Sequence, residues 1–216
     1  MKIIIIGPHG SGKTTIGRLL SKHYSIPFLS SGEIVREYAK TNENIRVFLE
    51  KKEYVPDEFV NRIIVEFLSK KEYENGFVLE GYPRNINQLN YFLKYFTIDV
   101  VVNLIVDEKI LIDRLLYRLV CPNCKENYNI KLKPPRKNEL CDKCNVKLEK
   151  RIEDNFEGIM KRNEEFRDKT LSVIEKFREM GKVVDVDVSS TDVNENLKSV
   201  ILKIDEFREI IKTSKK

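Results

Sequence analysis

Apolar residues fall along this chain in two rhythms. In the first, neighbouring positions are nearly all apolar over a short run: KIIII at 2–6, GFVLEG at 76–81, VVVNLIV at 100–106 and KVVDVDV at 182–188. These read as strands, and IPFLS at 26–30 adds a brief extended piece. In the second rhythm apolar positions recur every three or four residues, as on a helix with one buried face. That pattern covers 14–24, 33–51, 56–70, 88–95, 108–119, 151–180 (as one helix or two) and 193–212. Strands apolar at successive positions are buried on both faces. Their alternation with helices predicts an open parallel sheet covered on both sides. Two segments break the rhythm. Residues 30–55 carry two helical pieces before the sheet resumes, and 119–150, with Pro134-Pro135, reads as a separate β-rich flap. The tail at 212–216 is expected to fray.

Composition narrows the picture only a little. A chain of 216 residues, 41% hydrophobic and 34% charged, can bury one good core with small insertions. The net charge of +5 comes from 39 basic and 34 acidic residues that are well mixed. It suits an anionic ligand without requiring nucleic acid. No stretch approaches the roughly 20 apolar residues of a membrane span. The run at 3–6 is too short for a signal peptide, so a cytoplasmic protein is expected.

All four cysteines lie in the flap, as Cys121-x-x-Cys124, sixteen residues, then Cys141-x-x-Cys144. This is a metal-site spacing. In a reducing compartment it favours zinc over a disulfide pair or idle thiols, with iron as another occupant of a tetrathiolate set. A zinc ribbon for nucleic acid would interleave aromatic and basic residues. The flap offers Tyr128 alone among Lys125, Lys131, Lys133 and Arg136, which is weak support.

The sharpest chemistry sits after the first strand. GPHGSGKT at 7–14 matches G-x-x-x-x-G-K-[ST] between a strand and a helix, as a phosphate loop requires. Gly10, Ser11 and Gly12 would curl the backbone so that its N–H groups form an anion nest at the helix end. Lys13 would reach the β- and γ-phosphates, and Thr14 and Thr15 would complete the nucleoside triphosphate site, Thr14 through Mg²⁺. His9 is read as a spacer within the loop.

Further motifs follow in a familiar order: SSGEIVR at 30–36, YVPDEFV at 54–60, GFVLEGYPRNINQ at 76–88, DRLLYR at 113–118 and RIEDNFEGIMKR at 151–162. With the glycine loop they make the chain resemble the adenylate kinases nearly end to end. The resemblance implies a P-loop NTPase-type α/β fold: a five-stranded parallel sheet with helices on both faces, a helical NMP-binding insertion and a small β-rich zinc-binding lid. It places the core at 1–29, 56–117 and 155–216, the AMP-binding segment at 30–55 and the lid at 118–154. It implies magnesium-dependent phosphoryl transfer from ATP to AMP, giving two ADP, with no nucleic-acid or membrane partner and a monomeric chain. A kinase of UMP or CMP on the same fold is the alternative.

The same resemblance assigns residues. Ser31, Val55, Gly81 and Gln88 would hold the AMP adenosine, and Arg36 and Arg84 its phosphate. Arg114 would lie against the ATP adenine and Arg118 on its phosphates, the two sharing a helix face. Arg151 and Arg162, eleven apart on one expected helix, would close over the transferring group and the AMP site. Cys121, Cys124, Cys141 and Cys144 would hold a structural Zn²⁺ that braces the lid. Two positions depart from the family pattern. Glu80 stands where an Asp that organises the Mg²⁺ waters is usual, and Thr14 where many relatives have Gly.

Overall fold

In chain order the strands are β1 (Lys2–Ile6), β2 (Phe28–Ser30), β3 (Phe77–Glu80), β4 (Val100–Ile105), β5 (Arg118–Val120), β6 (Asn127–Asn129) and β7 (Val183–Asp187). Five of them form one sheet in the order β2-β3-β1-β4-β7, with every pairing parallel. The unbroken isoleucines of β1 are explained by its central place. Ile4 and Ile6 face one apolar layer and Ile3 and Ile5 the other, so none of the four isoleucines is left for water. The computed structural model describes residues 1–51, 53–151 and 154–213.

The helices divide between the two faces. On one side lie α1 (Lys13–Tyr24) and α9 (Val193–Thr213), which bury Ile16, Leu20, Val200 and Ile204 against the sheet. On the other lie α2 (Ser31–Ala39), α3 (Glu43–Glu50), α4 (Asp57–Leu68), α5 (Ile86–Phe92) and α8 (Leu171–Glu179). Between them in sequence run α6 (Glu108–Leu116) and α7 (Phe156–Glu165). A turn of π-helix, Phe166–Thr170, joins α7 to α8. The expected helical tract at 151–180 is therefore one continuous but interrupted stretch from Phe156. Residues 152–153 of that tract, and 214–216 of the expected frayed tail, lie outside the described residues, whereas Lys212 and Thr213 remain helical.

Gly17 sets how close α1 comes to the sheet. A Cβ there would lie 2.4 Å from Phe28 Cε2 and 3.3 Å from Ile5 Cδ1. Alanine is the better helix former by about 1 kcal/mol, yet overpacking costs about 1–3 kcal/mol. Gly17→Ala is expected to destabilise the protein by about 1 kcal/mol net, read as a melting temperature lower by about 2–4 °C. An unchanged or higher melting temperature would show that β2 yields freely.

Two expectations need correcting. The helix expected through 119 stops at Leu116, and Arg118 and Leu119 turn into β5, which pairs antiparallel with β6. Arg114 and Arg118 therefore do not share a helix face. The helix expected from Arg151 begins at Phe156, because Asn155 caps it by accepting from Gly158 N–H. Arg151 lies before the cap as exposed, irregular chain, so the helical phasing expected to align it with Arg162 does not exist.

Candidate active site

The sheet's strands end on one rim, and β1 and β3 bring Ile5 and Glu80 side by side there. In open parallel sheets this rim is where ligands bind. From β1 the chain turns through Gly10 and Gly12, at φ 85 and 88, and Gly12 caps α1 in a left-handed conformation that side chains resist. Helices α3, α5, α6 and α7 each take an Asn or Asp side-chain cap, but α1 has none and carries no acidic residue in its first turn. Its end N–H groups and its positive pole are left for an anion from outside. Ser11 Oγ is buried there without a hydrogen-bond partner among the described residues.

Lys13 is drawn over the loop. Its Nζ donates to the carbonyls of Gly7 at 2.8 Å and Pro8 at 2.7 Å. Burial, with Arg84 and Arg118 nearby, brings its pKa down to about 8 against the opposing pull of Glu80. Thr14 Oγ1 lies 2.9 and 3.0 Å from the two carboxylate oxygens of Glu80. A hydroxyl that gives its proton to a carboxylate turns its lone pairs outward, which suits a cation. One buried carboxylate and one hydroxyl are enough protein for Mg²⁺, which keeps several waters and takes the rest of its shell from substrate phosphate.

Beside the loop opens a cavity of about 450 Å³. Of the residues singled out from sequence, Lys13, Ser31, Arg36, Val55, Gly81, Arg84, Gln88 and Arg162 line it. Gly81 is tied to its place, since a Cβ there would meet Ser31 Oγ at 2.6 Å. Arg84 is held from three sides. Its N–H donates to Gln88 Oε1 at 2.8 Å, its Nε donates to Gly81 O at 2.8 Å, and its carbonyl accepts from Thr170 Oγ1 at 3.0 Å. Gln88 is buried, and its amide donates to Asp57 Oδ1 at 2.6 Å. Asp57, also in the wall, was not singled out from sequence; its place at the start of α4 gave no sign of this contact.

Asp154 is the larger omission. Its carboxylate is fully buried and accepts from Arg118 Nε and Nη2, both at 2.7 Å, and from Arg162 Nη2 at 2.8 Å. Burial alone would push its pKa up, but Arg118 and Arg162 outweigh it and hold the carboxyl below its ordinary value. This bridge joins β5 to α7 and gathers two guanidinium groups beside the loop. A folded-state pKa below the unfolded one gives stability above about pH 4 that is lost as pH falls through the folded value. Asp154→Asn is expected to cost about 1.5–3 kcal/mol at pH 7. The gap in melting temperature from the parent protein should close at acid pH, and a gap that persists there would mean the charge is not what matters.

Arg114 lies elsewhere, with Nη2 donating to the carbonyls of Val188 and Ser190, each at 2.8 Å. The four cysteine sulfurs converge within 4.8 Å of one another, and all four are free thiols rather than disulfides. Cys124 and Cys141 Sγ stand 3.6 Å apart. Tetrahedral Zn–S bonds of about 2.3 Å would separate the sulfurs by about 3.8 Å, so the set fits zinc. The two Cys-x-x-Cys turns are built alike. Lys125 N–H donates to Cys121 O and Asn145 N–H to Cys141 O, with Lys125 and Asn145 both at positive φ.

A family model described as adenylate kinase matches residues 5–182. An adenylate kinase of Thermoanaerobacter sp. (strain X514) is 36% identical over 212 residues, 93% of this chain and 98% of that protein. One of Thermotoga petrophila is 35% identical over 94% of this chain and 96% of its own length. One of Archaeoglobus fulgidus is 36% identical over 87% and 90%. The chain belongs to the adenylate kinase family.

Within that family frame, Arg162 belongs both to the cavity wall and to the bridge with Asp154, whereas Arg118 joins the bridge from outside the wall. Arg151 and Arg114 stand outside the cavity wall. Glu80, where an adenylate kinase Asp was expected, spends its extra reach on Thr14. The two departures noted in the sequence are thus a single contact.

Proposed function

We propose that this adenylate kinase family member transfers the terminal phosphoryl group of ATP to AMP. One observation carries the reading: Lys13 and the pair Arg36 and Arg84 line the same cavity, so two phosphate-bearing ligands meet in it. The loop N–H groups and Lys13 hold the donor phosphates. Arg36 and Arg84 aim the acceptor, while Ser31, Val55, Gly81 and Gln88 receive its adenosine. An AMP phosphate oxygen attacks the γ-phosphorus, the bond to the β–γ bridging oxygen breaks, and two ADP result. No proton is consumed, so no general base is needed.

Positioning and charge neutralisation supply the rate. Arg118 and Arg162, locked by Asp154, stabilise the charge that develops on the moving group. Arg151, eleven residues before Arg162 but outside α7, joins them when the lid moves over the site. Arg114 borders the ATP adenine from its seat on Val188 and Ser190. Thr14 and Glu80 would hold the Mg²⁺ that enters with ATP, which would supply neutralisation of phosphate charge. The reading of the protein as a cytoplasmic monomer rests on its likeness to the adenylate kinases; no helix of the described residues is long and apolar enough to cross a membrane. A coupled assay with ATP and a panel of AMP, CMP, UMP and GMP tests the reading. AMP is expected to be preferred at least about tenfold, on the scale of one hydrogen-bonded edge. Equal or better use of UMP or CMP would overturn it.

A further inference from the structure

His9 is the loop residue that the transfer reading leaves without a task. It lines the cavity beside Lys13, Arg84 and Arg162. The charges that act most strongly on its ring are all positive and come from four elements: Lys13 from α1, Arg162 from α7, Arg84 from the segment after β3, and Arg118 from β5, while the carboxylates of Glu53, Asp57 and Glu165 face the same cavity from its other walls. The positive end of α1 adds to them. Burial first, and these cations after it, push the imidazole pKa down to about 2. The ring is therefore neutral in the empty site, with one N–H and one lone pair.

Entry of a polyphosphate chain puts several negative charges among the same four cations. Those charges would offset the cations at the ring, and a nearby anion favours the charged imidazole against the opposing effect of burial.

We propose that His9 is a proton-coupled phosphate ligand, which takes up a proton as the phosphate chain enters and then donates an N–H to a phosphate oxygen. The proton comes from solvent onto the ring's lone pair, no bond to phosphorus forms at His9, and the proton returns when product leaves. This rests on the reading of the cavity as the place where two nucleotides' phosphates meet. It revises the view of His9 as a spacer. Binding of the phosphate chain should tighten as pH falls from about 8 to 6, by up to about tenfold per unit for one fully linked proton.

The test is calorimetry with a bisubstrate analogue, two adenosines joined by a pentaphosphate bridge, at pH 6.5. Titrations in two buffers of different ionisation enthalpy give the protons exchanged. Each phosphate of the analogue carries only a strongly acidic proton. Lys13, with its pKa about 8, is already charged at that pH. Neither therefore contributes much. Uptake approaching one proton per chain is expected in the parent protein, with most of it lost in His9→Asn. The chain has only two histidines, and His23 packs edge-on against Tyr24 away from the cavity. Ring resonances can thus be assigned with His23→Gln and followed in otherwise unaltered protein, even if the His9 variant fails to fold. Conversion of the His9 signal to imidazolium on binding, with His23 unchanged, is the expected result. Equal proton uptake in parent and variant, or a His9 ring still neutral in the complex, overturns the proposal while the transfer reading stands. Failure of the analogue to bind overturns both.

Discussion

Turnover is expected to fall by at least about 10²-fold when Lys13 or Arg84 is replaced by Ala, a loss of about 2.7 kcal/mol of transition-state stabilisation. Lys13 is the charge nearest the loop carbonyls, and its ammonium bridges Gly7 and Pro8 before any phosphate arrives. In the proposed mechanism the donor phosphates replace those carbonyls as its partner, so the alanine variant would lose both the loop brace and the donor-phosphate contact. Arg84 separates chemistry from folding more cleanly. Its backbone is clamped by Gln88 and Thr170 through main-chain atoms that alanine retains. Truncation removes the guanidinium from the acceptor side and leaves the cavity wall in place. Lys13→Ala should weaken use of ATP and Arg84→Ala use of AMP, each with a melting temperature within a few degrees of the parent. Steady-state kinetics with each nucleotide varied in turn measures this. Near-normal turnover in either variant would remove that residue from the mechanism.

How much of this was legible in the sequence depended on whether the cause was local. KIIII announced a strand buried on both faces because its pattern contains the reason, and β1 matches it. The end of α6 was misread because Leu115 and Leu119 keep helical spacing, while the antiparallel partner at Asn127–Asn129 is what claims Arg118–Val120 as strand. Tertiary pairing overrode a pattern that was locally sound. The start of α7 was legible in principle. Asn155 directly before an apolar-periodic run is a cap signal, and a cap outweighs the eleven-residue spacing of two arginines as a guide to where the helix starts. Asp154 was not legible at all. A lone Asp in RIEDNF reads as solvated charge, and it is buried where Arg118, 36 residues earlier, and Arg162, eight residues on in α7, close on it. The charge environment of His9 likewise takes only Lys13 from its own loop, and Arg84, Arg118 and Arg162 from other elements. Motifs thus marked the ligand-facing residues, whereas the groups that hold those residues in place emerged only from packing.

The lid shows the same division and yields the largest expected effect on stability. Its apolar cluster is Cys121, Tyr128, Cys141 and Leu148, with Leu119, Cys144 and Val146 partly buried around it. Three of those seven are themselves metal ligands by spacing. Without metal, four thiols crowded within 4.8 Å contribute little cohesion, and the rest is too small to fold alone. A structural zinc supplies about 10–16 kcal/mol of apparent binding energy in such small modules. Chelation should therefore unfold the lid while the sheet, with its own two apolar layers, stays intact. Hydrogen exchange should show protection lost across 118–151 and kept in β1 and β4. Activity should fall with it, because β5 carries Arg118 and the chain leaving the lid carries Asp154, so the bridge that gathers Arg118 and Arg162 is lost with lid order. Cys141→Ser should behave as the chelated protein does, while metal analysis of the parent returns one zinc per chain, or iron in its place after expression in a foreign host. A metal-free native protein with an ordered lid would refute the brace. A chelated protein with a disordered lid but full activity would refute its link to the arginines.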